Sequence, residues 1–307
     1  MSSFGQHPAP SMSLLHLSDT HLLGGDRSLF GVLATEKKLD EVFHRVSNSG
    51  LEITAIVITG DLVDLGEPEA YEKLADIVNP WAKTLGAEVV WVMGNHDDRQ
   101  GFSEVLMGQA ASMEPQDRVY EWQGLRLIAL DTSVPGFHHG QLTPHQLAWL
   151  REQLETPAAL GTLIAMHHPP LPSPAPLMGI IELDDQEAFW EAIAGSDVRG
   201  ILAGHLHHIT YTTSHSVPVS VAAGMCYNID LFGDKDRILV ASDRGQAVSL
   251  VNIYGDQVVF SHVDAGQMPE VHGFSAEFLA QIEAMSPDDR RQIFSNKSSS
   301  FNPSVDR

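Results

Sequence analysis

Short apolar runs alternate with amphipathic stretches from residue 12 to about residue 205. Residues 14–17, 55–59, 89–92, 125–130, 162–166 and 200–203 are rich in leucine or β-branched residues and bounded by turn formers. Each predicts a buried strand. Between them, Leu39, Val42, Phe43 and Val46 recur at i, i+3, i+4 and i+7. Tyr71, Leu74, Ala75 and Val78 repeat that spacing before Pro80. Both patterns predict a helix with one apolar face, and the proline predicts an interruption of the second. Thr143, Pro144 and Gln146 predict a capped helix start. Asp184 predicts another cap, with Glu187 three residues on, Phe189, Trp190 and Ile193 on the helix, and Gly195 near its end.

Beyond residue 208 the pattern changes, and residues 209–213, 217–222, 248–254 and 257–263 predict strands with short connections. From about Ser286 the chain is rich in Ser, Asn, Asp and Lys, which predicts a mobile tail. The proline-rich stretch 169–176 predicts a surface loop. Alternating strand and helix predict an α/β core, and the later strands a second sheet. The expected organisation is a flexible start at 1–11, one domain at 12–265 and a partly mobile extension at 266–307. Sites in α/β folds gather at the carboxyl ends of strands.

Composition narrows the chemistry. With 18 basic and 40 acidic residues the formal charge is −22, which argues against broad binding to nucleic acid polymers or anionic lipid. A small anion remains acceptable where a metal inverts the local field. Cys226 is the single cysteine, so an intramolecular disulfide and a thiolate metal cluster are both excluded. The 16 histidines leave imidazole and carboxylate as the ligands for any metal. Residues 1–11 lack a basic cluster followed by an apolar run, and no segment approaches the roughly 18 apolar residues of a membrane span. A cytoplasmic protein is expected, with peripheral membrane association left open.

Five predicted strands are each followed by ligand-type residues. They are Ser18-Asp19-Thr20-His21, Gly60-Asp61, Gly94-Asn95-His96-Asp97, His167-His168 and Gly204-His205-Leu206-His207. In an extended strand end, residues i and i+2 point the same way, so Asp19 with His21, and His205 with His207, can each aim at one place. Glycines before Asp61, Asn95 and His205 permit tight turns and close backbone approach. Carboxylate, amide carbonyl and imidazole together suit manganese, iron, cobalt or zinc better than calcium or magnesium. His16, between Leu15 and Leu17, reads as a packed residue. His138-His139 reads first as a surface pair, although a loop after Pro135-Gly136 could carry it to a phosphate. Any one block is a weak signal; five in order, each at a strand end, are not.

These blocks resemble the calcineurin-like metallophosphoesterase family, with its D-x-H, G-D, G-N-H-[DE], H and G-H-x-H pattern, over about residues 12–225. Residues 24–27, 91–99, 130–136 and 203–207 further resemble the class III cyclic nucleotide phosphodiesterases. The resemblance implies a four-layer α/β/β/α sandwich and a binuclear centre, iron or manganese foremost, with zinc or cobalt as the other candidates. One metal would take Asp19, His21, Asp61 and His207, and the other Asp61, Asn95, His167 and His205, with Asp61 bridging. His96 would face the substrate phosphate, joined there by Asn95, His207 and, from its loop, His138. Asp64, Asp97 and Asp131 are candidates for orienting a ligand histidine through its second nitrogen. The implied activity is hydrolysis of 3′,5′-cyclic nucleotides such as cAMP to 5′-monophosphates, by in-line attack of a metal-bridging hydroxide. Glycerophosphodiesters and 2′,3′-cyclic nucleotides are alternative substrates, and a non-catalytic scaffold is the reading from another class. A homodimer is the implied assembly.

Overall fold

A computed structural model describes residues 4–266 and 268–299. Pro10–Gly266 forms one compact unit, and the described parts of residues 1–9 and 267–307 form another. The first unit runs β1 (Met12–Leu17), α1 (Thr35–Asn48), β2 (Ala55–Thr59), α2 (Pro68–Leu85) and β3 (Glu88–Val92). Next come α3 (Arg99–Gly101), continued by a π-helical turn at Phe102–Leu106, then β4 (Arg118–Trp122), β5 (Leu125–Leu130), α4 (Pro144–Leu154) and β6 (Thr162–Met166). A 3-10 turn at Pro176–Ile180 leads to α5 (Gln186–Ile193), β7 (Val198–Ala203), β8 (Thr210–Ser214) and β9 (Val217–Val221). The unit ends with β10 (Asn228–Ile229), β11 (Ala241–Ser242), β12 (Ala247–Ile253) and β13 (Val258–Asp264).

Two sheets face each other. The first has the order β13-β12-β1-β2-β3 and the second β4-β5-β6-β7-β9-β8. Side chains alternate between the faces of a strand. Leu14, Val57, Val90, Leu127, Ala165 and Leu202 therefore meet between the sheets. Ile56 and Ile58 point the other way, into a core with Leu39 and Phe43 of α1 and Tyr71 and Leu74 of α2. Ile128 and Ile164 do the same toward Leu150 of α4 and Phe189 and Trp190 of α5. Burial on both faces is why these strands read as unbroken apolar runs. The result is the four-layer α/β/β/α sandwich.

Three local expectations need correction. Pro80 lies inside α2, which continues to Leu85, because Val78 and Ala82 on either side of it are buried. Tertiary packing there outweighs the lost backbone bond. At α5 the cap position falls to Asp185, in left-handed backbone with no side-chain cap bond; Asp184 instead donates its N–H to Gly140 O. The 169–176 stretch is more than a surface loop, since Leu171 and Ala175 are buried in the second outer core. The region after Ser286 holds α7 (Pro287–Phe294), capped by the Ser286 hydroxyl, following α6 (Ala276–Ala284). In that second unit the Phe278 ring lies 4.8 Å from Phe274 and 5.9 Å from Phe294. The outermost parts of the expected mobile ends, residues 1–3 and 300–307, lie outside the described residues. The Thr143 helix start forms as expected, as a full capping box with Gln146.

Candidate metal centre

The carboxyl ends of β1, β2, β3, β6 and β7 share one edge of the sandwich, and the five motif blocks meet there. The backbone does not reach them by staying extended. Asp19, His21, Asp61, His205 and His207 have φ of 55°, 44°, 47°, 70° and 49°, all left-handed. This corrects the expected i, i+2 extended pairs. Asp and His tolerate this region better than bulky apolar residues, and such strain concentrates at functional sites. Inter-loop bonds hold the turns in place: Asp19 N–H donates to Gly60 O at 3.0 Å and His21 N–H to Asp61 O at 2.9 Å. Two glycines make the close approach possible. A methyl group at Gly94 would collide with Asp61 N, and one at Gly204 would collide with Ser18 Oγ.

The donor atoms fall into two groups joined by one oxygen. Asp61 Oδ2 lies 3.4 Å from His21 Nε2 and 3.3 Å from His167 Nε2. On the first side, His21 Nε2 is 3.3 Å from His207 Nε2, which is 3.3 Å from Asp19 Oδ1. On the second, His167 Nε2 is 3.3 Å from His205 Nδ1 and 3.1 Å from Asn95 Oδ1. The atoms of Asp19, His21, Asp61 and His207 all lie within 4.8 Å of one another, and all four residues are buried.

The second nitrogen of each ring decides what the first presents. His207 Nδ1 faces Tyr227 O at 3.0 Å, His167 Nδ1 faces Thr59 O at 2.7 Å, and His205 Nε2 faces Ile181 O at 2.8 Å. A carbonyl only accepts, so each of these nitrogens carries the hydrogen. His21 Nδ1 donates to Asp64 Oδ1 at 2.9 Å. A ring in its neutral form therefore presents a lone pair inward, and His21 Nε2 faces His207 Nε2 while His167 Nε2 faces His205 Nδ1. Two lone pairs so placed repel unless positive charge, a shared proton or a metal ion, stands between them. A metal at about 2.0–2.2 Å from N and O ligands holds neighbouring donors about 3–3.4 Å apart, and the separations here, 3.1–3.4 Å, match. The residues fit a pair of transition-metal ions.

The field of the site points the same way. Burial opposes the His21 cation, but Asp61 and Asp64 outweigh it and push its pKa up to about 10. Burial also opposes His207 and His167, yet Asp19 lifts the first to about 10 and Asp61 the second to about 9. His205 is held well below the imidazole range by burial and by the His168 and His167 rings. Asp61 stays well below the carboxylate range because His167 and His21 overcome the effect of burial. The cluster draws positive charge.

The remaining candidates divide by what they touch. His96 Nδ1 donates to Asp64 O at 2.9 Å, which leaves Nε2 as its free atom, and burial lowers its pKa. His138 Nδ1 accepts from Asn95 Nδ2 at 2.9 Å and so fixes which end of the amide meets His167. Asp64 Oδ1 accepts the His21 Nδ1 hydrogen. Asp97 and Asp131 do not orient histidines among the described residues. Asp97 accepts the backbone N–H groups of Gly94, Leu62 and Val63. Asp131 binds Arg99 Nε at 2.9 Å and Ser133 Oγ at 2.5 Å. His168 has both nitrogens engaged, with Thr132 Oγ1 and His138 O. His139 lies 3.7 Å from Asp184 and outside both donor groups. Three carbonyls, of Thr59, Ile181 and Tyr227, complete the site without any side-chain signal in the sequence. No helix among the described residues is long and apolar enough to cross a membrane.

Residues 12–208 match the model of the calcineurin-like phosphoesterase family. The chain is 50% identical over 265 residues to a cAMP/cGMP dual specificity phosphodiesterase from Mycobacterium tuberculosis, covering 85% of this chain and 82% of the relative. It is 28% identical over 224 residues to a glycerophosphodiester phosphodiesterase from Enterobacter lignolyticus, covering 71% and 79%. The fold is similar to that of a dimetal phosphatase from Danio rerio, with a TM-score of 0.60 and 15% identity over 84% of this chain and 98% of the other. The chain belongs to the calcineurin-like phosphoesterase family.

Proposed function

We propose that this chain is a metal-dependent phosphodiesterase that hydrolyses 3′,5′-cyclic nucleotides, cAMP among them, to 5′-monophosphates. The observation that carries the reading is Asp61 Oδ2, nearly equidistant from His21 and His167 and shared by two groups of N and O donors. Asp19, His21, Asp61 and His207 would hold one ion, and Asp61, Asn95, His167 and His205 the other. Iron or manganese suits this mixed donor set, with zinc or cobalt as substitutes. Bound there, the ions supply a hydroxide nucleophile at neutral pH and neutralise phosphoryl charge.

The protein's own groups do the rest. The left-handed turns and the carbonyl-bound rings hold the donors without reorganisation. His138 keeps Asn95 Oδ1 turned inward. His96 is fixed through Nδ1, so its Nε2 is the atom able to contact a phosphoryl oxygen or, when protonated, to deliver a proton to the departing O3′. His207 meets the substrate only through the ion it would hold. A homodimer remains part of the reading.

The identity to the cAMP/cGMP phosphodiesterase favours cyclic nucleotides over glycerophosphodiesters. A complete donor set and an accessible His96 argue against a non-catalytic scaffold. The experiment loads the protein with manganese or iron and assays cAMP, 2′,3′-cyclic AMP, a glycerophosphodiester and single-stranded DNA in parallel. Turnover of cAMP to AMP with the highest kcat/KM is expected. Preference for any of the others, or no turnover by metal-replete protein, refutes the reading.

A further inference from the structure

Beside the first donor group stands an aromatic wall. The Tyr227 ring stacks on His207, with centroids 4.2 Å apart and planes 28° apart, and lies 6.2 Å from His21. The Phe30 ring follows at 5.5 Å from Tyr227. Phe30 is 67% exposed and sits in left-handed backbone at φ 52°. A phenylalanine is doubly disfavoured there, by the wetting of its ring and by its backbone. The turn around it is nonetheless built to hold it. Leu33 N–H donates to Leu29 O at 3.0 Å, and Gly31 follows Phe30 at φ 73°. Leu29 and Leu33 are buried with Cys226 in a small apolar cluster of their own, against which Tyr227 packs. The base of the turn is thus anchored on the segment whose carbonyl orients His207, while its tip holds a ring out at the side of the metal centre.

Resting on the cyclic nucleotide reading, we propose that Phe30 and Tyr227 form the stacking face for the nucleobase of the substrate. With the phosphate at the donor groups, the base must lie to one side at about the distance of the ribose, and a flat ring system finds ring faces there. Phe137, also exposed, packs against His139, which belongs to neither donor group. The Phe30 side therefore has the direct ring connection to the centre. Ring faces reward a large π surface, so purines are favoured over pyrimidines.

The test compares AMP with ribose 5-phosphate as competitive inhibitors of bis(p-nitrophenyl) phosphate hydrolysis by the metal-loaded full chain, alongside KM and kcat for cAMP. Phe30→Ala should lower the advantage of AMP over ribose 5-phosphate by about 5- to 100-fold, and raise KM for cAMP more than it lowers kcat. Phe30→Trp should retain the advantage. Val32→Ala removes another exposed apolar side chain from the same turn and should also retain it. An unchanged ratio in Phe30→Ala, or an equal loss in Val32→Ala, overturns the stacking role while cAMP turnover by the wild type leaves the activity standing. Wild-type protein that cleaves the nitrophenyl diester but not cAMP overturns the nucleotide reading and the subsite with it.

Discussion

Asp97 supplies none of the proposed ligand atoms, and its removal should still cost the protein both stability and metal. Its Oδ2 accepts Gly94 N–H at 2.8 Å and Leu62 N–H at 3.2 Å; its Oδ1 accepts Val63 N–H at 3.2 Å and Tyr71 O–H at 3.1 Å. Gly94 precedes Asn95, and Leu62 and Val63 follow Asp61, so one carboxylate braces the loops that serve both donor groups. Asp97→Ala strands four donors, each worth about 1–3 kcal/mol when buried without a partner. An opposing effect comes from the carboxylate itself, which burial and the Asp61 charge push up to about 7 and which is therefore not held cheaply. Taking the lower figure for each donor and allowing for that relief leaves a loss of about 3 kcal/mol. Asp97→Asn keeps an acceptor oxygen and should lose about half as much. Urea denaturation in chelator measures the stability, and manganese titration followed by elemental analysis measures the affinity, which should fall about 10- to 100-fold. A destabilisation under about 1 kcal/mol together with full metal content would refute the bracing role.

Three further predictions concern other links. His96→Ala should keep both metals and lose about 10²–10⁴ in turnover, since the side chain contributes proton or phosphoryl contacts alone; loss of metal from that variant contradicts the role. Asp64→Ala frees the His21 Nδ1 hydrogen from its acceptor at 2.9 Å. It should weaken metal binding by about 10–100-fold without unfolding the chain, and unchanged affinity by titration calorimetry would count against it. Asp117 gives a pH signature: burial raises its pKa to about 6, and Asp131 N–H and Gln146 Nε2 donate to its Oδ1. Because the folded pKa lies above the unfolded one, its favourable contribution is full below about pH 4 and lost as pH rises through 6. Asp117→Asn keeps an acceptor and lacks that loss, so it should match the wild type at pH 4 and exceed it by about 2–3 kcal/mol at pH 7. Parallel urea curves at the two pH values decide this, and an equal difference at both would contradict it.

The donors were legible because each is an Asp, Asn or His placed directly after an apolar run, with glycine beside it where backbones must touch. Their geometry was not. Asp19 and His21 converge through left-handed turns tied to the Gly60–Asp61 backbone, and a side-chain period of two carries no trace of that. Asp64, Asp97 and Asp131 look alike as carboxylates near ligands, yet of the three only Asp64 reaches an imidazole. The difference lies in which neighbouring atoms are backbone N–H groups. The carbonyls of Thr59, Ile181 and Tyr227 set ring tautomers through the main chain, which every residue possesses, so no residue type could announce them. β4 escaped notice because it is an edge strand whose Arg118, Tyr120 and Trp122 are only half-buried, leaving no apolar run. Phe30 escaped because a single phenylalanine in a glycine-flanked turn resembles an incidental surface residue until Tyr227 is found beside it.

The pairing of β1 has a consequence for synthesis. One edge of β1 joins β2 in parallel, but the other is covered only by β12, more than two hundred residues later in the chain. A ribosome that has already made every ligand has not yet made the strand that seals this flank. Until then the growing polypeptide presents Leu14 and its neighbours along an open ladder, the kind of template on which other chains add. Fragments ending before residue 247 should therefore carry every donor and still precipitate, whereas chains that extend through β12 close the seam.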